Sequence, residues 1–516
     1  MPHCPRIPHV SRRFSRLAIA ALALLGCPPG ETRAADARPN VLLICADDHA
    51  AYVTGCYGNT IVRTPRIDGL AAEGTRFTRA YCNSPVCTAS RQSFLTGRYP
   101  RTIGVTELKT PLPAEELTLA DILGAAGYET AAIGKMHFNS NLQHGFDVRL
   151  DAPDHRRWLA QQPNAGLPAG VEVLPRWRPF RDAARIWLNA DALPYGATDA
   201  QMDATYFATQ AAEFLAAQRD EPFFLMVSFT QPHSPFRFPV EFRGRHSPDE
   251  FTTPEVSTID DPQIPAIFRE LTDHDKRGIA AAYYTAVEFL DHNVGRVLDA
   301  LDAAGHRDDT LVIYFSDHGY LLGHHGRFEK HCSFEEAVRV PLVVRHPGEV
   351  PAGQANDAML ELIDLAPTVL DACDVESPPT NQGRSFLPAV THSAASHRQQ
   401  VIVEYAPHDE IMIRDDRWKL VYWRGARERE DGYLPASPLT GPTFRLYDLE
   451  SDPQESVDLS EDPQHSETVA RLKDALIAHL LKTTRQPELI PQDASPDELL
   501  AFCVQPRDVQ PPQGEE

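Results

Sequence analysis

Two pairs of polar residues follow apolar segments of the chain, where they could bind a metal ion. Asp47 and Asp48 come after the apolar run 41–45, and Asp317 and His318 come after the run 310–315. Strands of a parallel sheet end at the same edge, so these side chains are expected to meet there. Carboxylate oxygens are typical ligands of hard cations, and the spacing therefore predicts one metal site. Either pair alone could instead begin a turn or a helix.

Cys87 is the candidate nucleophile. It stands in the segment Cys87-Thr-Ala-Ser-Arg91, which Gln-Ser-Phe-Leu-Thr-Gly97 follows. A thiol at a predicted helix start and near a cation is activated by the helix amides and by the positive charge. Cys82 precedes it by five residues, and the spacing alone leaves a disulfide between the two open. Seven of the nine cysteines follow residue 40, an odd number that leaves one thiol without a partner.

The composition limits the functional classes. The chain has 516 residues, with 49 Lys and Arg against 72 Asp and Glu, so its formal net charge is −23. This excess of acids argues against a nucleic acid partner, because phosphate backbones are bound by surplus Lys and Arg. A chain with 42% apolar and 23% charged residues is typical of globular proteins and not of disordered or multi-span membrane proteins.

The N-terminal region predicts an export signal. Arg12, Arg13 and Arg16 precede the ten-residue apolar run 17–26, which is too short to span a bilayer. Residues 1–34 are therefore predicted to be a signal peptide, and the protein is predicted to be exported to the periplasm or the extracellular space. The sequence Leu24-Leu-Gly-Cys27 leaves a second route open, a lipobox that places a lipid on Cys27. Membrane contact is expected only in that case.

Apolar runs alternate with helical patterns through most of the chain. Short, continuous apolar runs predict buried strands at 40–45, 129–133, 223–229 and 310–315. Helical periodicity predicts helices at 65–73, 117–126, 202–219 and 279–301. The alternation predicts an α/β fold with a mostly parallel central sheet flanked by helices, which forms a catalytic domain over residues 38–394.

Beyond about residue 395 the pattern changes. Short strands are predicted at 401–405, 410–414, 418–423 and 444–446 with no helix between them, and a helix is predicted at 467–482. This order predicts a small antiparallel α+β subdomain over residues 395–485. Residues 486–516 are rich in Pro, Gln and acids and are predicted to form a loose acidic tail.

Six segments, in the same order, resemble the formylglycine-dependent sulfatases of the alkaline phosphatase superfamily. The run from Cys87 to Gly97 is similar to the sulfatase signature, although the family more often has Pro where Ala89 stands. The other similar segments are Gly134-Lys-Met-His137, Gln231-Pro-His-Ser-Pro235, Phe315–Lys330, Trp418-Lys-Leu420 and Leu446–Pro453. The resemblance covers Asn40 to about Asp458, departs at His324, where many members have Glu, and implies an alkaline-phosphatase-like fold.

The resemblance also implies a modified residue and a metal ion. In that family the signature cysteine is oxidised after translation, so a formylglycine-generating maturation enzyme is expected to convert Cys87 to formylglycine. The ion is expected to be Ca²⁺, with Mg²⁺ as the second choice. Its implied ligands are the hydrated aldehyde at position 87 and four side chains: Asp47, Asp48, Asp317 and His318.

The remaining catalytic roles follow from the same resemblance. Arg91 would steady the hydrate, and Lys135 and Lys330 would hold the sulfate oxygens as compact charges. His137 would orient or deprotonate a hydroxyl of the hydrate, and His233 would protonate the departing alcohol. One hydroxyl would attack sulfur, and collapse of the other would expel sulfate. Taken alone, lysines and histidines at such positions are more often solvated or structural.

A basic and aromatic segment gives the main indication of the substrate. Residues 176–187 combine four arginines with Trp177, Phe180 and Trp187, a set that could stack on sugar rings and pair with anions, or could be surface packing. Segments 134–138 and 228–236 are similar to both choline sulfatases and iduronate sulfatases, and a choline site would need an aromatic cage. The prediction is a sulfated saccharide. A choline sulfatase, a phosphomonoester or phosphonate ester hydrolase, and an unmodified, non-catalytic glycan-binding homologue stay open.

Overall fold

The computed structural model describes residues 38–163, 166–175, 188–391, 397–425, 435 and 441–509. The predicted signal peptide with Cys27 and the basic segment 176–187 lie outside the described residues. Among the described helices, none combines the length and the hydropathy that a bilayer span requires.

Eight strands form the main sheet, and all but one of these eight run parallel. Their spatial order is β4-β3-β5-β1-β6-β7-β2-β8, and β7 is antiparallel to both of its neighbours. The strands are β1 (Asn40–Asp47), β2 (Thr75–Tyr81), β3 (Glu129–Gly134), β4 (Val148–Leu150), β5 (Phe223–Pro232), β6 (Thr310–Ser316), β7 (Arg339–Arg345) and β8 (Gln354–Glu361). The predicted mostly parallel α/β fold is confirmed.

The sheet is buried on both faces because its central strands are apolar throughout. Leu42 and Ile44 of β1 enter one hydrophobic cluster, and Val41 and Leu43 enter another on the opposite face, as the two-residue period of a strand requires. The helices that cover the sheet or connect its strands are α1 (Pro65–Glu73), α2 (Cys87–Thr96), α3 (Pro100–Ile103), α4 (Leu119–Ala125), α5 (Ala152–Leu159), α6 (Asp203–Leu215), α7 (Ala266–Arg269), α8 (Asp273–Ala303), α9 (Glu335–Val338), α10 (Leu365–Ala372) and α11 (Leu387–Thr391). Residues of α1, α6 and α8 belong to the first cluster, and residues of α2, α4 and α10 to the second.

A second, four-stranded antiparallel sheet follows toward the C terminus. Its order is β12-β11-β10-β9, with β9 (Val401–Tyr405), β10 (Glu410–Arg414), β11 (Trp418–Trp423) and β12 (Thr443–Asp448). The helices α12 (Ser466–Thr483) and α13 (Pro496–Cys503) pack against it through one apolar cluster. The predicted antiparallel α+β arrangement is confirmed, whereas the domain boundaries stay a prediction.

The C-terminal tail differs from its predicted form. Residues 486–509 include α13, and the carboxylate of Asp508 accepts hydrogen bonds from the backbone N–H groups of Thr106 (3.0 Å) and Glu107 (2.9 Å). It also accepts from the hydroxyl of Thr106 at 2.6 Å and from that of Thr110. A charged acceptor satisfies several donors of one loop here, so the expectation of a loose tail is wrong for these residues.

A buried charge network joins the loop after β6 to the small sheet. His325 Nδ1 lies 2.9 Å from Asp260 Oδ2, and its Nε2 lies 3.7 Å from Glu336 Oε2. The His325 ring stacks on Phe334 with a centroid distance of 3.5 Å. Both acids favour the protonated imidazole, and they raise the pKa of His325 to about 9 although burial opposes the charge.

The network continues into β10 and β11. Lys419 Nζ lies 2.7 Å from Glu455 Oε1 and 3.3 Å from Glu335 Oε1, and Arg414 lies 2.9 Å from the other oxygen of Glu335. Because the segment between β6 and β7 also carries Lys330, the small sheet supports one of the predicted site residues through these ion pairs.

This network predicts a pH-dependent stability. The unfolded chain releases the His325 proton near its ordinary pKa of about 6.5, so the contribution is complete below pH 6.5 and is lost as the pH rises through about 9. Replacing His325 by Gln should therefore reduce the free energy of unfolding by up to about 3 kcal/mol more at pH 6 than at pH 9.5. Denaturant titrations at the two pH values measure this difference.

The control for this prediction is His274→Gln, at an exposed position in the first turn of α8. Its effect on the free energy of unfolding should stay within about 0.5 kcal/mol, as is usual for a substitution at an exposed position. An effect of His325→Gln that does not change between pH 6 and pH 9.5 would contradict the assignment of a protonated His325 in the folded protein.

Candidate functional site

The predicted metal ligands meet where β1 and β6 end side by side. Ala46 pairs with Ser316 in the register of the two strands, so Asp47, Asp48, Asp317 and His318 leave the sheet together. Asp48 has a left-handed backbone with φ +68°, a conformation that costs free energy for a residue with a Cβ. Its N–H donates to Asp317 Oδ1 at 3.2 Å, which holds the two strand ends in contact.

Cys87 is the first residue of α2, and its side chain lies among these groups. Its Sγ is 3.4 Å from Asp47 Oδ1, 3.1 Å from His318 Nε2 and 3.3 Å from Lys330 Nζ. Cys87 and Cys82 are both free, as are the other cysteines from Cys45 to Cys503, so the disulfide alternative is not realised. The side chain that would have been linked to Cys82 instead faces the acid pairs.

The surroundings of Cys87 favour its anionic form. Burial opposes a thiolate, but the positive charges of Lys135, Lys330 and His318 outweigh it and hold the pKa of the Cys87 thiol well below its ordinary value. The buried thiols of Cys45 and Cys332 lack such a set of cations, and burial raises their pKa values, to about 12 in the case of Cys45. Position 87 is therefore electrostatically different from these other buried cysteines.

Arg91, one turn after Cys87, links the residues that follow β3 and β6 to the middle of β5. Its side chain is completely buried, and its Nε donates to Asp317 Oδ2 at 2.8 Å. Its Nη1 donates to the carbonyl of Lys135 and to Ser228 Oγ, both at 2.6 Å. A buried guanidinium is tolerated because these acceptors and the carboxylates compensate its charge.

Two lysines reach the same pocket from different loops. Lys330 Nζ donates to Asp48 Oδ1 at 2.6 Å, and Lys135 Nζ forms an ion pair with Asp47 Oδ2. Burial disfavours both ammonium groups, but the carboxylates and the Cys87 thiolate outweigh it and raise the pKa of each lysine. Both lysines are therefore charged at neutral pH and available to an anionic ligand.

The two predicted histidines complete the pocket. His233 Nδ1 lies 2.7 Å from the carbonyl of Ser234, which assigns the proton to Nδ1 and leaves Nε2 facing Asp48 Oδ2 at 4.0 Å. His137 lies beside Cys87, has a left-handed backbone with φ +62°, and burial lowers its pKa. Every predicted site residue is thus brought into one pocket.

The donor set fits a divalent cation. One ligand atom from each of Asp47, Cys87, Asp317 and His318 lies within 4.8 Å of the other three, and Asp47, Asp48, Cys87 and His233 form an overlapping group. Asp48 Oδ2 is buried and has no hydrogen-bond partner among the described residues. A buried carboxylate oxygen without a partner is costly, and a hard cation supplies what it lacks. The third group of this kind, His325, Glu336 and Glu455, belongs to the charge network described above.

The acids around this position compete for the same positive charges. Burial raises the pKa of Asp317 to about 6, and the nearby charge of Asp47 adds to the effect while Arg91 opposes it. For Asp47, burial and the Cys87 thiolate are outweighed by Lys135, His233 and Arg91, which hold its pKa at about 2. An additional cation would relieve this competition, which is further support for a metal-binding role.

Sequence reasoning missed several residues that support the site. Ser228 accepts a hydrogen bond from Arg91, and its position at the carboxyl end of a predicted strand was the available signal. Tyr283 of α8 donates to the carbonyl of Asp48, and the hydroxyl of Thr88 donates to the carbonyl of Leu108 at 2.6 Å. These partners are distant in the sequence, so no local motif marks them.

An open cleft of about 1650 Å³ leads to the pocket. Lys135, His137 and His233 form part of its wall, and α5 and the residues around Tyr195 form another part. Four described arginines line it as well: Arg149, Arg156, Arg157 and Arg237. The predicted basic segment 176–187 lies outside the described residues, so its place relative to the cleft stays a prediction.

Comparisons with known proteins agree with this arrangement. The model of the Sulfatase family matches residues 39–375, and the model described as N-sulphoglucosamine sulphohydrolase, C-terminal, matches residues 323–482. A choline-sulfatase of Rhizobium meliloti is 29% identical over 476 residues, which cover 86% of this chain and 87% of that protein.

Two solved structures illustrate the similarity of fold. One, bound to its substrate D-glucosamine-2-N,6-O-disulfate, has a TM-score of 0.69 at 22% identity and covers 89% of this chain and 99% of its own. The phosphonate monoester hydrolase of Agrobacterium radiobacter has a TM-score of 0.73 at 22% identity, with 92% and 100% covered. The Sulfatase model spans more than half of the chain and contains the whole pocket, and the chain therefore belongs to the sulfatase family and is a sulfuric ester hydrolase.

Proposed function

We propose that this sulfatase releases sulfate from a sulfated saccharide, with residue 87 as formylglycine and Ca²⁺ as the bound ion. The observation that carries the proposal is the position of Cys87, which lies between Asp47, His318 and Lys330, next to His137 of the cleft wall. A maturation enzyme would oxidise the thiol, and the hydrated aldehyde would supply the hydroxyl that attacks sulfur.

The side chains of the pocket address the two difficulties of a sulfate ester. Its oxygens are negative and repel an anionic nucleophile, and Lys135 and Lys330 compensate that charge from two sides. Its leaving group is a poor alkoxide, and His233, on the cleft wall, is placed to deliver a proton to it. His137 lies beside residue 87, where it can accept the proton of an attacking hydroxyl. Arg91 is too deeply buried to reach the ester and keeps the acids in place.

The lining of the cleft favours a saccharide over choline. A quaternary ammonium is bound by several exposed aromatic faces. Among the described lining residues, Phe138 and Phe207 are buried, and Tyr195 is the large aromatic side chain that is exposed, at 40%. The cations of the cleft suit an anionic sugar instead.

The donor set of the pocket supports Ca²⁺ as the bound ion, and the predicted signal peptide supports export of the protein. Carboxylate oxygens from three aspartates suit a hard cation, and Ca²⁺ accepts irregular oxygen sets more readily than Mg²⁺ does. Export to the periplasm or the extracellular space rests on the predicted signal peptide, and lipid attachment at Cys27 is the variant of that proposal in which the protein contacts a membrane.

Replacing Cys87 by Ala should lower kcat by at least about 10⁴-fold, because the nucleophile is removed. The thermal unfolding midpoint should change little. Mass spectrometry of the unaltered protein should show a peptide about 18 Da lighter than the thiol form predicts, whereas a disulfide would remove only about 2 Da. The matched control is Cys82→Ala, another buried cysteine, which should retain turnover. Retained activity of Cys87→Ala would refute the nucleophile assignment.

The enzyme should prefer 4-nitrophenyl sulfate over 4-nitrophenyl phosphate by at least about tenfold in kcat/KM. A phosphate monoester carries almost one more negative charge at neutral pH, and that charge faces the acids of the pocket. Steady-state rates on both esters measure the ratio. A preference for the phosphate, or for a phosphonate ester, would instead support the activity of a phosphonate monoester hydrolase such as the Agrobacterium radiobacter neighbour.

Removal of the ion with a chelator should lower activity by at least about tenfold, because the acids then compete for the cations that bind sulfate. Adding Ca²⁺ should restore the rate at a lower concentration than adding Mg²⁺. The variant Asp317→Asn, which loses one ligand charge, should need more Ca²⁺ for the same rate. Activity that survives complete chelation, confirmed by elemental analysis of the protein, would contradict a metal-dependent mechanism.

A further inference from the structure

Arg237, on the cleft wall beside His233, has no part in the reaction proposed above. It directly follows the turn that holds His233, in which the N–H of Phe236 donates to the carbonyl of His233 at 3.1 Å. It lines the same cleft as Lys135, and its side chain is 32% exposed. A cation at this place faces any ligand whose sulfate group occupies the pocket.

Arg237 is held in one place by two neighbours. Its guanidinium lies over the ring of Tyr195, 5.4 Å from the centroid, and its Nη2 is 3.4 Å from Asp203 Oδ2. The other oxygen of Asp203 already accepts from Gln231 Nε2 at 2.9 Å and from the N–H of Ala204 at 3.0 Å. One long contact to Asp203 therefore orients the arginine without using most of its donors.

Arg149, another arginine of the cleft wall, is different. Arg149 uses Nη1 for the carbonyls of Ser140 (2.9 Å) and Leu142 (2.7 Å) and Nη2 for Asp151 (3.0 Å), so its terminal nitrogens are engaged within the protein. In contrast, Nε and Nη1 of Arg237 have no partner among the described residues. A guanidinium that is fixed, partly desolvated and still has free N–H groups is suited to bind an anion.

We infer that Arg237 binds a second anionic group of the substrate, a carboxylate or another sulfate, next to the ester that is cleaved. The inference rests on the proposed function and narrows its substrate class to saccharides with at least two anionic groups. In a chain with a net charge of −23, such a ligand needs local cations beyond those that hold the scissile sulfate. Arg237 supplies one at a fixed position, so it acts on specificity.

The test compares three esters in the unaltered enzyme and in Arg237→Met, which keeps the length of the side chain but removes its charge. The esters are a hexosamine 2-N,6-O-disulfate, the matching 6-O-monosulfate and 4-nitrophenyl sulfate. The variant should raise KM and lower kcat/KM for the disulfate by about tenfold to a hundredfold, and should change the other two by less than about twofold. A fourth ester, a sulfated disaccharide with a uronic acid, then shows whether the second anionic group that Arg237 binds is a carboxylate or a sulfate.

The matched control is Arg157→Met, which removes an exposed arginine of the same cleft and should leave all ratios unchanged. If Arg237→Met slows all esters equally, Arg237 only supports the turn of His233, and the inference is wrong. It is also wrong if the preference for both dianionic sugars survives the substitution. Failure of the unaltered enzyme to hydrolyse even 4-nitrophenyl sulfate would contradict the proposed function itself, and the inference with it.

Discussion

Negative charge buried at the ends of two adjacent strands is the constraint on which the rest of the site depends. Asp47, Asp48 and Asp317 leave β1 and β6 side by side, and the thiolate-favouring Cys87 joins them. Such a group of anions is stable inside a protein only when cations come equally close. The chain supplies them from three separate segments, and this requirement explains why residues so distant in the sequence meet in one pocket.

Different elements of the fold supply these positive charges, and the charges have different roles. Arg91 of α2 neutralises the acids, and it also donates to the carbonyl of Lys135 after β3 and to Ser228 of β5, so it is part of the structural support of the pocket. Lys135 and Lys330 approach from loops and keep their ammonium groups near the cleft. The small C-terminal sheet supports the Lys330 segment through the His325 network. Charges that hold the pocket together are thereby separated from charges that can meet a ligand.

Much of this arrangement follows from local patterns in the sequence. The apolar runs before Asp47 and Asp317 fix both strands, and the parallel sheet then fixes the meeting of the acids. Local patterns do not predict the strands β2 and β8, because neither has a continuous apolar run. β2 carries arginines among its apolar residues, and the first half of the edge strand β8 is polar and partly exposed. Contacts such as those of Tyr283 and Ser228 depend on tertiary packing, which no motif encodes.

The hydrogen bonds of Asp508 connect the C-terminal segment to the helix that carries Cys87. Asp508 holds the loop 104–110, and the carbonyl of Leu108 in that loop accepts from Thr88, the neighbour of Cys87, and from Asn139, near His137. Only Glu107 and Leu108 thus separate the carboxylate of Asp508 from the helix α2, although about four hundred residues lie between Asp508 and α2 along the chain. Residue 508 must be synthesised before these hydrogen bonds can form, so about four hundred residues are added to the nascent chain while the segment of Cys87 lacks this support.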